Sequence, residues 1–365
     1  MKSLYSDFFT FLRDFFLNWL SYHLNYPLVK PWRVNFDITH RCPLKCVMCN
    51  VWKEKVKVSE ELGLEELKEL VDEIADWGID HISLAGGETL ARAKDVVELI
   101  KYASNKPHMR IDLITNGYFL DEKLCRELLK ANVSKISLSL DGAKRETHNS
   151  IRVKGNFDQV LKAAKILSKL KKEMKSKVEL EFTTVVMRQN FRELIEIFNL
   201  MEKIGFQYVN YQAVVPDNTF RNGLEEFYRF YKSDMWVREE EIPELEKIVK
   251  KLLILKKKTG KIRNSRRYLL LLPKYFKEKE KFKSGKCIVG YSYLNIDPYG
   301  NINVCGLGPN LNVRKNKLKD LWKSKEYKRT RILIKRCKRP CMMLCYEKLS
   351  FKDFLERWLE VRGWI

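Results

Sequence analysis

Nine cysteines in this 365-residue chain are gathered in groups. Cys42, Cys46 and Cys49 share one short stretch, five more fall between 287 and 345, and Cys125 stands alone. The first group lies in T-H-R-C-P-L-K-C-V-M-C-N, a C-x3-C-x2-C spacing. Thiolates on one such loop can cap three corners of a cubane iron–sulfur cluster. Three protein ligands leave one iron open, and an open metal position is where chemistry happens. Structural zinc is the alternative, but it wants a fourth ligand nearby. His40 is the one neighbour of the right type, and its place before Cys42 suits that poorly. The odd cysteine total argues against a complete disulfide framework. Tight clustering points to metal or iron–sulfur ligation in a reducing, cytoplasmic compartment. Cys125, beside Leu124, Leu128 and Leu129, reads as a plain buried thiol.

A reactive loop needs a scaffold, and the chain from about 32 to 215 alternates strand and helix. Apolar, β-branched runs at Val34–Thr39, His81–Ala85, Ile111–Thr115, Lys135–Leu140, Val178–Met187 and Tyr208–Val215 predict six strands. Amphipathic patterns lie between them. One carries Leu67, Leu70, Val71 and Ile74, another opens near Asp95, and a third begins at Asp121, a good N-cap. A fourth carries Phe157, Val160 and Leu161, and the last ends at Gly205. This order predicts an α/β fold, a partial (βα)6 TIM-like barrel with its chemistry on the loops after the strands. Residues 217–284 read as irregular, with one helix opening at Pro243 and an apolar run at Tyr268–Leu272.

The loop of Cys42, Cys46 and Cys49 matches the signature of the radical S-adenosylmethionine (SAM) superfamily, and the match continues along the barrel. Ala85-Gly86-Gly87-Glu88 after the second strand resembles that family's G-G-E motif, with Thr89 where proline is usual. Thr115-Asn116-Gly117 ends the third strand, Ser139-Leu140-Asp141-Gly142 ends the fourth, and Arg152 follows. The resemblance implies a [4Fe–4S] cluster on the three cysteines and SAM on its open iron. It also implies reductive cleavage to a 5′-deoxyadenosyl radical and hydrogen abstraction from a substrate. Gly86 and Gly87 are expected to let backbone approach the cofactor without a Cβ. Glu88 would accept from the methionyl ammonium, and Arg152 would pair with the methionyl carboxylate. Asn116, Ser139 and Asp141 would meet carboxylate or ribose hydroxyls. Asn116-Gly117 and Asp141-Gly142 also read equally well as ordinary turns.

The second cysteine group has Cys287, twelve residues, Gly300, four residues and Cys305, followed by Cys337, Cys341 and Cys345 at C-x3-C-x3-C. Residues 295–302 between them read as a hairpin turn. The group resembles the C-terminal SPASM and twitch regions that hold auxiliary clusters. That implies one further [4Fe–4S] cluster, on Cys287, Cys305 and two of Cys337, Cys341 and Cys345, although four thiolates would also hold zinc. The expected divisions are an amphipathic helix at 1–27, the core barrel at 28–216, a connecting segment at 217–284, the cysteine-rich region at 285–350 and a terminal amphipathic helix at 351–365.

Lysine and arginine outnumber aspartate and glutamate 70 to 47, a net charge of +23 that favours anionic partners without choosing one. A nucleic-acid partner is not expected, because no basic motif of known type interleaves with aromatics. The N-terminal stretch carries Leu4, Phe8, Phe9, Leu12, Phe15, Phe16, Trp19 and Leu20 at helical spacing. Such a face could touch an anionic membrane peripherally or pack on the barrel. The expected function is a radical SAM enzyme acting on a lipid or a peptide, reduced by a ferredoxin or flavodoxin. The alternative is an iron–sulfur electron-transfer or scaffold protein.

Overall fold

The computed structural model describes residues 2–153, 155–215, 230–282, 287–308, 310–337 and 340–343. Its centre is one open, seven-stranded sheet, ordered β6-β5-β4-β3-β2-β1-β7 and parallel throughout. Six strands fall where alternation predicts them. These are β1 (Arg33–Asp37), β2 (His81–Ala85), β3 (Arg110–Thr115), β4 (Lys135–Ser139), β5 (Glu179–Val186) and β6 (Tyr208–Ala213). The crossover helices are α2 (Leu64–Asp76), α3 (Ala93–Ser104), α4 (Glu122–Lys130), α6 (Phe157–Glu173) and α7 (Leu194–Ile204). A short helix, α5 (Arg145–Ile151), precedes α6. Asp121 caps α4 by accepting from the Leu124 amide at 2.7 Å, and Gly205 ends α7 at φ 87°.

Parallel strands covered on both faces read as unbroken apolar runs. These instead alternate. Val34 and Phe36, Ile82 and Leu84, Ile136 and Leu138, and Leu180 and Phe182 turn outward into the helix-covered core. Their neighbours Asn35, Ser83, Ser137 and Glu181 turn inward.

Two features depart from the sequence expectation. A seventh strand, β7 (Tyr293–Ile296), comes from the C-terminal cysteine region and pairs parallel to β1. It is only four residues long and doubles as the first arm of the expected hairpin, so it carried no strand signal of its own. It covers the exposed edge that β1 would otherwise present. The connecting segment holds two helices, α8 (Ile242–Thr259), with Pro243 in its first turn, and α9 (Arg266–Glu278). The apolar run Tyr268–Leu272 lies within α9, whose Leu269, Leu272 and Phe276 are buried at helical spacing.

In the C-terminal region α10 (Leu318–Lys323) packs on α2, and α11 (Lys325–Arg336) packs on residues 289–292 just before β7. Arg331, fully buried, lies over the rings of Trp322 and Tyr327 and donates to the Gly290 and Trp322 carbonyls. The N-terminal helix α1 (Lys2–Leu24) docks here by its last turns: Tyr22 meets Tyr291 at 5.9 Å, and the Lys335 ammonium donates to the Tyr22 carbonyl at 2.5 Å. Residues 351–365 lie outside the described residues, as does Cys345.

Candidate active site

The loop after β1 carries Cys42 and Cys49, half-buried, and Cys46, buried. It is fixed from two sides. The Val47 amide donates to the Ile151 carbonyl at 2.9 Å, and the Cys49 amide donates back to Cys46 at 3.2 Å. From the other side comes the loop after β2. A Cβ on Gly86 would lie 2.5 Å from the Thr39 carbonyl, and one on Gly87 would lie 2.6 Å from that of Arg41. Both glycines therefore permit close approach to the cysteine loop's own backbone, a stricter demand than approach to a cofactor. The Gly87 and Glu88 amides donate across that contact, at 2.7 and 2.8 Å.

Glu88 has no solvent exposure. Its carboxylate accepts from the Thr115 hydroxyl at 2.6 Å, the Asn116 amide at 2.7 Å and the Leu90 amide at 3.0 Å. Burial raises its carboxyl above the usual range, against those hydrogen bonds. It thus ties the ends of β2 and β3 together. Asn116, so held, directs its side-chain amide to the Cys42 sulfur at 3.7 Å.

Asp141 and Arg152 form a buried pair at 2.7 Å. The other Asp141 oxygen accepts from the Val185 amide at 2.7 Å. Burial works against the Arg152 charge, but Asp141 and Cys46 outweigh it and hold the guanidinium firmly protonated. One Nη lies 3.9 Å from the Cys46 sulfur. Burial pushes the Cys42 thiol up to about 11. Burial also raises the Cys46 thiol, with Arg152 pulling the other way. Three thiols on one fixed loop, with a cation and an amide donor at two of them, suit a cluster whose binding removes the thiol protons and leaves the site with net negative charge.

Sequence reading missed the connectors. His148 is fully buried, accepts from the Asp141 amide at Nδ1 and pairs through Nε2 with Asn156 at 3.0 Å. Asn156 donates to the Asn116 carbonyl at 2.7 Å, so one chain of hydrogen bonds joins the loops after β3 and β4. Asn190 donates to the Asp141 carbonyl at 2.8 Å. Their signal was faint: a lone His in a polar stretch, and Asn in two turns. Ser139 stands half-buried at the end of β4, opposite Thr183 in the ladder.

The inward faces of the strands enclose a cavity of about 560 Å³. Its walls carry Asn35, Ser83, Ser137, Thr183, Asn210, Gln212 and Asn295, and reach Cys305 and Met343 of the C-terminal region. A net of ion pairs lies at the strand starts. Asp112 meets His81 at 3.0 Å, Arg110 at 3.0 Å and Lys135 at 3.2 Å, while Glu179 meets Arg110 at 2.9 Å and pairs with Arg263. Burial would raise the Asp112 carboxyl, but His81, Lys135 and Arg110 hold it far below the usual range. At the opposite end Asp37 lines the cavity. Burial lifts its carboxyl to about 6, with His40 lowering it and Asp297 and Glu54 adding to the rise. Period-2 polar residues in parallel strands were the sequence signal for this lumen.

The hairpin after β7 turns as expected. Ile296 bridges Ile302, and Gly300 sits at φ 81°. It delivers Cys305, which adopts φ 52°, a left-handed conformation that is costly for a residue with a Cβ. Cys287 and Cys341 are half-buried and Cys337 is exposed.

Residues 36–209 match the radical SAM superfamily, and residues 287–347 match the iron–sulfur cluster-binding domain SPASM. The chain thus carries a radical SAM domain followed by a SPASM domain. Its radical SAM domain implies a [4Fe–4S] cluster and SAM, and its SPASM domain implies auxiliary iron–sulfur clusters. Among curated relatives, Fe-coproporphyrin III synthase of Methanosarcina barkeri is 37% identical over 171 residues, 47% of this chain and 41% of the relative. PqqA peptide cyclase of Granulibacter bethesdensis is 32% identical over 170 residues, 46% and 43% of the two chains. The chain thus matches about half or less of each relative's length. Among solved structures, Streptococcus suis SuiB bound to S-adenosylmethionine superposes with TM-score 0.64 at 15% identity, covering 82% of this chain and 68% of that one. Native anSMEcpe with bound AdoMet gives 0.58 at 18%, covering 91% and 98%. These likenesses carry the radical SAM partial-barrel fold. No helix of the described residues is long and apolar enough to cross a membrane.

Proposed function

We propose that this chain is a radical SAM enzyme that takes a hydrogen atom from a peptide substrate held in the barrel lumen. Cys42, Cys46 and Cys49 would hold the catalytic cluster. Gly86, Gly87, Glu88, Asn116, Ser139, Asp141 and Arg152 would form the surrounding rim, where SAM binds. Cys287, Cys305, Cys337, Cys341 and Cys345 would supply the ligands of an auxiliary cluster. When bound, the cluster and SAM supply reductive cleavage to a 5′-deoxyadenosyl radical. The chain's own residues fix the loops, exclude water and orient the substrate.

The observation that carries this reading is the polar cavity that runs from the strand ends beside the cysteine loop to Cys305. A peptide finds partners there for its N–H and C=O groups in Asn35, Asn210, Gln212 and Asn295. A fatty chain would bury those groups and the charged walls without compensation. Relatives named for peptide modification, PqqA peptide cyclase and mycofactocin maturase MftC, support the same choice. Exposed Lys45 and Lys53 lie over the Trp52 ring beside the cluster loop, with exposed Lys55 next in sequence, which suits an acidic electron carrier such as a ferredoxin or flavodoxin. Exposed Phe16 and Trp19 on α1 suit peripheral contact with an anionic membrane.

The test is anaerobic reconstitution, reduction and chromatography for 5′-deoxyadenosine. We expect it to form in the wild-type chain and to vanish in the Cys42/Cys46/Cys49→Ala variant. A reconstituted protein that never makes it would be an electron-transfer protein instead. Stimulation by coproporphyrin but not by any peptide would overturn the substrate class.

A further inference from the structure

Two side-chain N–H groups reach the cysteine sulfurs from outside their loop. Asn116 brings its amide to Cys42 at 3.7 Å, and Arg152 brings a guanidinium nitrogen to Cys46 at 3.9 Å. Neither contact is casual. Asn116 is held at its amide by Glu88, at its carbonyl by Asn156 and at its side-chain oxygen by the Tyr118 amide, at 2.7, 2.7 and 2.9 Å. Those bonds leave the side-chain NH2 directed at sulfur. Arg152 is buried, and its Nε is engaged by Asp141, which is itself anchored to β5 through the Val185 amide. That pairing turns Nη1 toward Cys46.

We propose that Asn116 and Arg152 are positioning residues that set the reduction potential of the cluster held by Cys42, Cys46 and Cys49, by donating N–H···S hydrogen bonds and, for Arg152, positive charge. The inference rests on the reading of those cysteines as cluster ligands. An oxidised [4Fe–4S] core carries two positive charges and three thiolates carry three negative ones, so the site has net charge −1. One added electron makes it −2. A fixed cation nearby stabilises the second state more than the first, and its effect is large because little water intervenes. Hydrogen bonds to the sulfurs act in the same direction, since they withdraw electron density from the ligands. Asp141 partly offsets the cation, and its main effect is to fix the direction of the guanidinium.

The test is a mediated redox titration of the reconstituted full-length chain, read by low-temperature electron paramagnetic resonance. The signal that changes when SAM is added belongs to the cluster with the open iron, which separates it from any auxiliary cluster. Arg152→Gln should move the midpoint of that signal to more negative potential, and Arg152→Lys should restore part of the shift. Asn116→Ala should give a smaller shift of the same sign, and it keeps the proposal testable if Arg152→Gln fails to assemble. An unmoved midpoint in Arg152→Gln and Asn116→Ala, with the signal intact, would overturn the proposal. Weaker SAM affinity without a midpoint shift would do the same and return Arg152 to the methionyl carboxylate. A wild-type chain with no SAM-responsive signal would overturn the ligand reading itself.

Discussion

Glu88 accepts three hydrogen bonds at a position closed to solvent, so its neighbours depend on it. Glu88→Gln turns an NH2 against donors that have nowhere else to go. We expect a loss of about 1–3 kcal/mol of stability, the cost of a buried donor left unsatisfied. SAM affinity should fall with it, because the same carboxylate holds the loop of Asn116. Thermal unfolding and calorimetric titration of the reconstituted variant would read both, and an unshifted melting curve would remove Glu88 from this role. His148 adds a pH dependence. Burial, with Arg152 adding to it, lowers its pKa to about 4 from the usual 6.5. The fold therefore favours the neutral ring. That stability is fully present above about pH 6.5 and drains away as pH falls toward 4, at up to about 1.4 kcal/mol per unit. Denaturant unfolding at several pH values in this window should show a slope that His148→Gln flattens.

At the scale of elements, the strand starts are joined across the lumen by charge rather than by apolar packing. Asp112 of β3 holds His81 of β2 and Lys135 of β4 at once. Asp112→Asn would leave three bases around a buried, neutral amide. We expect a cost of about 3–5 kcal/mol, the scale for removing one partner of a buried ion pair. The midpoint of urea unfolding measures it, and a loss below about 1 kcal/mol, the surface-pair scale, would mean that solvent screens the net. The six β-α units were legible because outward positions such as Val34, Phe36, Ile136 and Phe182 are apolar and β-branched or aromatic. The ion-pair net was not legible, since which acid meets which base depends on register between strands far apart in sequence.

At the scale of the whole molecule, α1 has two faces with different fates. Tyr22 is tied into the fold at Tyr291 and Lys335 and Asn18 is buried, whereas Phe16 is 57% and Trp19 49% exposed. Removing the whole helix would therefore strip a packed surface, and point changes are the cleaner probe. Phe16→Ser with Trp19→Ser should reduce sedimentation with vesicles containing anionic lipid and leave the melting temperature unchanged. Equal sedimentation would exclude this face from any membrane contact. The sequence by itself determined the parallel strand–helix order, the cysteine loop and the glycine and acidic loops after the strands. Those depend on local periodicity and on short spacings, which a chain carries within a few residues. Only the tertiary structure decided that β7 completes the sheet beside β1, and that Gly86 and Gly87 press on the cysteine loop. It also decided that Glu88, His148 and Asn156 bind the loops together and that the lumen reaches Cys305. Each is a contact between distant segments. Such contacts exist only once packing has fixed the register and brought polar groups to where burial obliges them to find partners.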